Sequence, residues 1–116
     1  MKTLFLAILA VFLLFACNNI ETNKVPEGIL PKEKMTQVLI DIHIAEAAIA
    51  LKGLEADSAR ILYSIQKQKV LKKHGVGEEE YDTSFEYYVN HPELLDEVYT
   101  SVVDSLSLRE DRKIID

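Results

Sequence analysis

Two residues in the first half of the sequence carry the side chains best suited to chemistry. His43 and Glu46 stand three positions apart, which puts them on adjoining rows of a helix, where an imidazole and a carboxylate can share a proton or a metal ion. The same spacing serves a plainer purpose. A carboxylate on an apolar helix face must find a donor, because burying it unpaired costs on the order of several kcal/mol. That requirement favours a polar clamp between helices, with Arg60, Tyr63, Tyr88 or Arg109 as the expected partner. A helical metal site draws ligands from several helices, and no second such pair is present, so neither a metal nor a cofactor is expected. His74 and His91 stand beside expected helix ends, where cap and loop roles suffice. Ser84, Asp82 and His91 contain the residue types of a hydrolytic triad, but nothing in the pattern positions or activates them. With no Gly-rich phosphate loop, no G-x-S-x-G and no H-E-x-x-H, the chain is expected to be non-catalytic.

The elements that position these residues follow from helical periodicity. Pro31 suits the first turn of a helix, and Lys32 to about Lys52 runs without Gly or Pro until Gly53. Met35, Val38, Leu39, Ile42, Ala45 and Ile49 share one face, with Glu46 inside it and His43 on its edge. Ile40, Ile44, Ala47 and Leu51 lie nearly opposite, while Lys34, Gln37, Asp41 and Lys52 form a wet flank. A helix apolar on two sides contacts neighbours on both, so this one is expected to be central. A second helix, capped by Asp57 or Ser58, reaches Lys73 and stops at His74-Gly75. Glu78-Glu79-Glu80 opens a short third helix, where acids complement the unpaired amides. Tyr81, Phe85, Tyr88 and Val89 continue as its stripe, with Tyr87 pointing away. From Pro92 a last helix runs to about Arg109, with Leu95, Val98, Val102 and Leu106 inward, Tyr99 at the edge and a charged end expected to fray. No alternating strand pattern and no internal repeat is present. The expected fold is all-α, a small bundle of about four helices over residues 31–116.

Composition narrows the function classes. The 116 residues are 48% hydrophobic with a formal net charge of −6, and setting Lys2 aside with the leader makes the remainder more acidic still. Such a surface repels phosphate backbones, so no nucleic-acid partner is expected. One cysteine excludes an intramolecular disulfide and any Cys-based zinc site. Tyrosines offer apolar area with a polar tip. Tyr87 and Tyr99, together with Ile40, Ile44 and Leu51 from the second face of the central helix, are the expected partner or dimer surface.

The chain begins with Lys2 and an apolar run, Leu4 to Ala16, that ends at Cys17. This run spans roughly 20 Å as a helix, short of the roughly 30 Å of a bilayer core, and reads as a secretory signal. Leu14-Phe15-Ala16-Cys17 resembles the lipobox of bacterial lipoproteins, with Phe15 where that motif usually carries a small or polar residue. The resemblance implies cleavage after residue 16, lipid on Cys17 and membrane attachment through it. Residues 17–30, polar and punctuated by Pro26, Gly28 and Pro31, are expected to form an extended tether of about 45 Å at most.

A wider resemblance covers about residues 25–107. Val25-Pro26 through Leu30-Pro31, Asp41-Ile42-His43-Ile44-Ala45-Glu46-Ala47, Lys73-His74-Gly75-Val76, Glu79-Glu80-Tyr81 through Phe85, Tyr87-Tyr88, His91-Pro92 and Val98-Tyr99 follow in order. This series resembles the small Bacteroidota lipoproteins catalogued as domain of unknown function 4296, whose members commonly carry Ser or Thr where this chain has Gly77. What it implies is a helical architecture and a place in the cell envelope, with no assigned reaction or ligand. In that group acidic residues directly after the cysteine often mark surface export, and here the stretch is Asn18-Asn19-Ile20-Glu21, so an outer-membrane anchor facing the periplasm is expected. A further likeness links Gln66–Phe85 to the helical substrate-binding segments of periplasmic chaperone-isomerases. The expected function is a non-catalytic protein-interaction module. The alternatives are a chaperone-like binder of unfolded envelope proteins and a small metal- or ligand-binding protein using His43 and Glu46.

Overall fold

Gly28 sets the entry to the fold. Its φ of +85° and the bond from the Ile29 amide to the Pro26 carbonyl at 3.2 Å close a tight turn that only a residue without Cβ adopts cheaply. The computed structural model describes Met1 and residues 25–115; the leader up to Ala16, Cys17 and the tether as far as Lys24 lie outside them. Within the described residues the chain forms four helices and no strand, α1 (Lys32–Ala50), α2 (Ala56–His74), α3 (Glu78–Val89) and α4 (Pro92–Ile115). The all-α expectation holds.

Each helix end has a local cause. Pro31 caps α1 from outside, its carbonyl accepting the first helical bond from the Met35 amide at 2.9 Å. Glu55 takes the capping position of α2. The helix therefore starts ahead of Asp57 and Ser58, and Asp57 instead adds negative charge to the first turn, where the dipole favours it. Gly75 ends α2 at φ +66°. There the Val76 amide reaches the Leu71 carbonyl at 2.9 Å and the Gly75 amide that of Lys72 at 3.1 Å. Leu71 and Val76 are both buried, which completes a Schellman stop with its hydrophobic contact. His91 ends α3, its Nδ1–H donating to the Tyr87 carbonyl at 2.7 Å, and Pro92 begins α4 where a missing amide costs nothing. The charged segment expected to fray stays helical through Ile115. Leu, Arg, Glu and Lys are good helix formers and no Gly or Pro interrupts them.

α1 is the central helix, packed against both α2 and α4. Met35, Val38, Leu39 and Ile42 meet Leu71, Tyr81, Tyr88, Val98 and Val102 in one buried cluster. Ile40, expected on an outward partner face, is only 6% exposed and belongs to this core. The second apolar side of α1 is the one that receives α4, beside Val98 and Ser101. Val89 is exposed, and its expected place on the α3 stripe is taken by Ser84, which is fully buried.

The boundary at residue 31 also shifts. Leu30 is buried, and Val25 and Ile29 pack against the core. The Leu30 amide donates to Ser84 Oγ at 2.9 Å, and the Tyr88 hydroxyl donates to the Leu30 carbonyl at 2.7 Å. One residue of the supposed tether thus has both backbone groups satisfied by α3, and the folded unit begins at Val25. Burial pushes the Tyr88 phenol up to about 12, with Tyr87 adding to it, so this donor keeps its proton throughout the physiological range.

Candidate functional site

The far half of α1 runs beyond the short α3, and this geometry decides the fate of the His43–Glu46 pair. Glu46 continues the core stripe of α1, but no helix covers it and its side chain is 45% exposed. Its partner is His43 itself: Nδ1–H donates to Glu46 Oε2 at 2.9 Å. None of Arg60, Tyr63, Tyr88 and Arg109 makes the expected clamp. Arg60 reaches only Asp57, at 3.9 Å, and Tyr88 is committed to Leu30. The other ring nitrogen of His43, Nε2, is buried with no hydrogen-bond partner among the described residues. The imidazole packs against Tyr99 of α4 with ring centroids 5.7 Å apart.

Tyr63, Tyr81 and Tyr99, on three different helices, all feel the charge of Glu46. Burial raises the Tyr63 and Tyr99 phenols above their ordinary value, and the charge of Glu46 raises both further. Tyr81 is raised most strongly, first by burial and then by Tyr63, Tyr99, Glu46 and Asp82. Glu46 therefore lies within electrostatic range of all three hydroxyls, which make no hydrogen bond among the described residues. On the α2–α3 side, Lys67 Nζ stands 4.9 Å from the centre of the Tyr81 ring and 3.2 Å from Asp82 Oδ1. Lys67 thus ties α2 to α3 beside the Tyr81 ring, while the His43–Tyr99 contact ties α1 to α4.

A second cluster escaped the sequence reading. Asp41, expected on the wet flank, has a side chain only 18% exposed. Its Oδ2 accepts from His74 Nε2 at 2.7 Å and from Lys73 Nζ at 2.9 Å. Burial pushes the Asp41 carboxyl up, but the bonds and charges of Lys73 and His74 outweigh it and hold the group below its ordinary value. His74 is thus more than a cap, tying the end of α2 to the middle of α1. Helix register does not announce it: two antiparallel 19-residue helices joined by a short loop would set the last turn of α2, with Lys72, Lys73 and His74, against the first turn of α1 and not against Asp41.

The remaining candidates separate. Ser84 is fully buried and bonded to Leu30, which leaves no nucleophile for a triad. Tyr87 is half-buried, stacked on His91 at 4.0 Å and edge-on to Tyr88 at 5.7 Å. Tyr99 is likewise half-buried, whereas Ile44 and Leu51 are exposed. Leu51 is 89% exposed, and Leu54, Ile61 and Ile65 are exposed as well. Between the helices an open groove of about 440 Å³ is lined by Ala45, Ala48, Ile49, Leu54 and Leu62 with Lys52 and Gln66 at its sides. Among the described residues no group of three or more His, Cys, Asp or Glu could hold a metal ion, and no helix is long and apolar enough to cross a membrane.

No curated protein and no solved structure matches the chain. One family model does, over residues 26–112, a span that opens at the Gly28 turn, takes in Leu30 and its two anchors on α3, and includes His43, Glu46, Asp41 and His74. The chain belongs to that family, whose description is Domain of unknown function (DUF4296).

Proposed function

We propose that the chain is a non-catalytic helical interaction module, held at the bacterial envelope by a lipid on Cys17 and facing the periplasm from the outer membrane. One observation carries the interaction reading: the outer ends of α1 and α2 leave Ile44, Leu51, Leu54, Ile61 and Ile65 uncovered by any other helix. Single exposed apolar residues are ordinary, but five large ones on one hairpin, beside an open apolar groove lined by Ala45, Ala48, Ile49, Leu54 and Leu62, supply the area that a protein partner would cover. The lipid half rests on the Leu14–Cys17 ending and the short apolar run before it, together with the Bacteroidota lipoproteins that the chain resembles. Three acyl chains would anchor it firmly, since each buried methylene contributes about 0.8 kcal/mol.

Two measurements test the two halves. A photo-crosslinking residue at Leu51 is expected to give one adduct of defined mass in cells, and the same residue at exposed Asp104 none. A ladder of many adducts at Leu51 would instead indicate a chaperone-like binder of unfolded chains, and no adduct at all would remove the module. For the anchor, intact mass should show residues 1–16 absent and acyl chains on Cys17. Cys17→Ser should leave unprocessed precursor or a soluble product, and unchanged processing with membrane retention would rule the lipid out.

A further inference from the structure

Of the 19 residues of α2, only Leu71 is buried. Its solvent side carries Asp57, Ile61, Ser64, Ile65, Gln68 and Lys72, all exposed, at steps of three and four that set them in one stripe. The apolar middle of this stripe continues onto α1. The groove between the two helices places Ala48 and Lys52 beside Leu62 and Gln66. Ile44 lies one turn before Ala48 and Leu51 one turn after it, while Leu62 lies one turn before Ile65. Leu51 therefore stands level with the middle of α2. Two copies of Ile44, Leu51, Leu54, Ile61 and Ile65, each 40 to 89% exposed, offer on the order of 1,000 Å² of apolar area, the size that a specific interface must clear, before any polar neighbour is added.

The order of residue types along α2 names what covers it. The stripe is acidic at its start (Asp57), apolar in the middle (Ile61, Ile65) and basic at its end (Lys72). Its spacing is also symmetric, because 57 pairs with 72, 61 with 68 and 64 with 65 about a single point. Laid antiparallel on a second copy of itself, the stripe sets Asp57 against Lys72 twice and Ile65 against Ser64, a small residue that lets the backbones approach. Neither charge has a strong commitment elsewhere. Asp57 has only Arg60, at 3.9 Å with both side chains in solvent, and Lys72 makes no ion pair among the described residues. A wholly acidic partner or an anionic lipid surface would meet Asp57 with like charge, and a wholly basic partner would do the same to Lys72. A second copy answers both ends. We propose that the solvent face of α2, with Leu51 and Leu54 at its side, is the seam of a symmetric dimer whose two-fold axis passes between Ser64 and Ile65. This rests on the reading of the chain as an interaction module and names its partner as another copy of this chain.

The test measures the mass of the purified full chain by sedimentation in density-matched detergent. The parent is expected to be a dimer that dissociates on dilution. Asp57→Lys and Lys72→Glu, each placing like charges opposite one another twice, should weaken it about tenfold. The double exchange Asp57→Lys/Lys72→Glu should return to within about threefold of the parent, because one chain holds both halves of the pair only if the partner is a copy of it. Ile65→Asp should be monomeric, with unchanged helical circular dichroism showing that the fold persists. A parent that stays monomeric up to about 0.1 mM, or single exchanges that dissociate the dimer while the double exchange fails to recover it, would overturn the seam. The photo-crosslink at Leu51 separates this from failure of the module itself. An adduct with the mass of two copies supports the seam, an adduct of any other defined mass keeps the module and overturns the dimer, and no adduct removes both.

Discussion

The two ends of α1 live in different surroundings. At its start, Leu30 is seized by Ser84 and Tyr88, and Met35, Val38 and Leu39 are sealed beneath α3 and α4. Toward its end only α2 keeps it company, and Leu51 is almost fully solvated. One helix thus serves as core at one end and as surface at the other. Near its start α1 lies beside α4 and meets the Tyr81 and Tyr88 side chains of α3 in one buried cluster, a cover that does not reach Leu51. Stability is concentrated where apolar side chains are enclosed on all sides, and recognition falls to the end where they are not.

The difference can be broken most directly at its stable end. Tyr88→Ala empties a fully buried aromatic site and releases Leu30, and it should lower unfolding free energy by about 3–5 kcal/mol, read as a fall in urea midpoint. A loss below about 1 kcal/mol would mean that the latch on Leu30 contributes little. Subtler changes sharpen the picture. Tyr88→Phe and Ser84→Ala each leave one buried backbone group of Leu30 unpaired and should cost about 1–2 kcal/mol.

Midway along α1, Asp41→Asn weakens the ties to Lys73 and His74, with an expected loss of about 1 kcal/mol at neutral pH. The sign of its pH dependence is fixed by the depressed carboxyl. Folding lowers the Asp41 value below its ordinary 3.8, so the unfolded chain binds the proton more readily. The contribution is complete above about pH 5 and disappears as pH falls through the folded value. An acid-limb comparison of the parent with Asp41→Asn should therefore converge at low pH, and parallel curves would contradict the assignment.

The smallest effects belong to the open end. Leu51→Ser and Ile61→Ser should change stability by no more than about 0.5 kcal/mol while reducing the partner adduct. Hydrogen exchange gives an independent measure. Amides near Ile44 and Ile61 should exchange through local opening, and those near Val38 and Val98 only on global unfolding.

Periodicity alone located the core of α1, because Met35, Val38, Leu39, Ile42 and Ile49 fall on one stripe and all are buried. It also located the αL stop at Gly75, where the residue type and the conformation agree. It misplaced Ile40 because two-sided apolarity shows that a helix has neighbours on both sides but not which side stays open. Ser84 and Leu30 are 54 positions apart, and no local pattern announces a bond across that distance. The site was half legible. His43 and Glu46 were picked out by spacing, yet whether Glu46 is buried depends on where α3 ends in space. Asp41 with His74 was not recoverable from helix register, because ideal antiparallel pairing would set His74 against the first turn of α1, and the observed bond depends on how far the two helices are offset.

The latch on Leu30 also sets a leash. With the folded body beginning at Val25, only Asn18 to Lys24 would separate it from the lipid proposed on Cys17, and their fully drawn contour is about 25 Å where a chain free as far as Leu30 would give about 45 Å. The body would then ride close above the lipid head groups, and any pull on the anchor would bear directly on the packed base of the molecule, shearing a buried residue out of its seat before the outer ends of α1 and α2 felt any load.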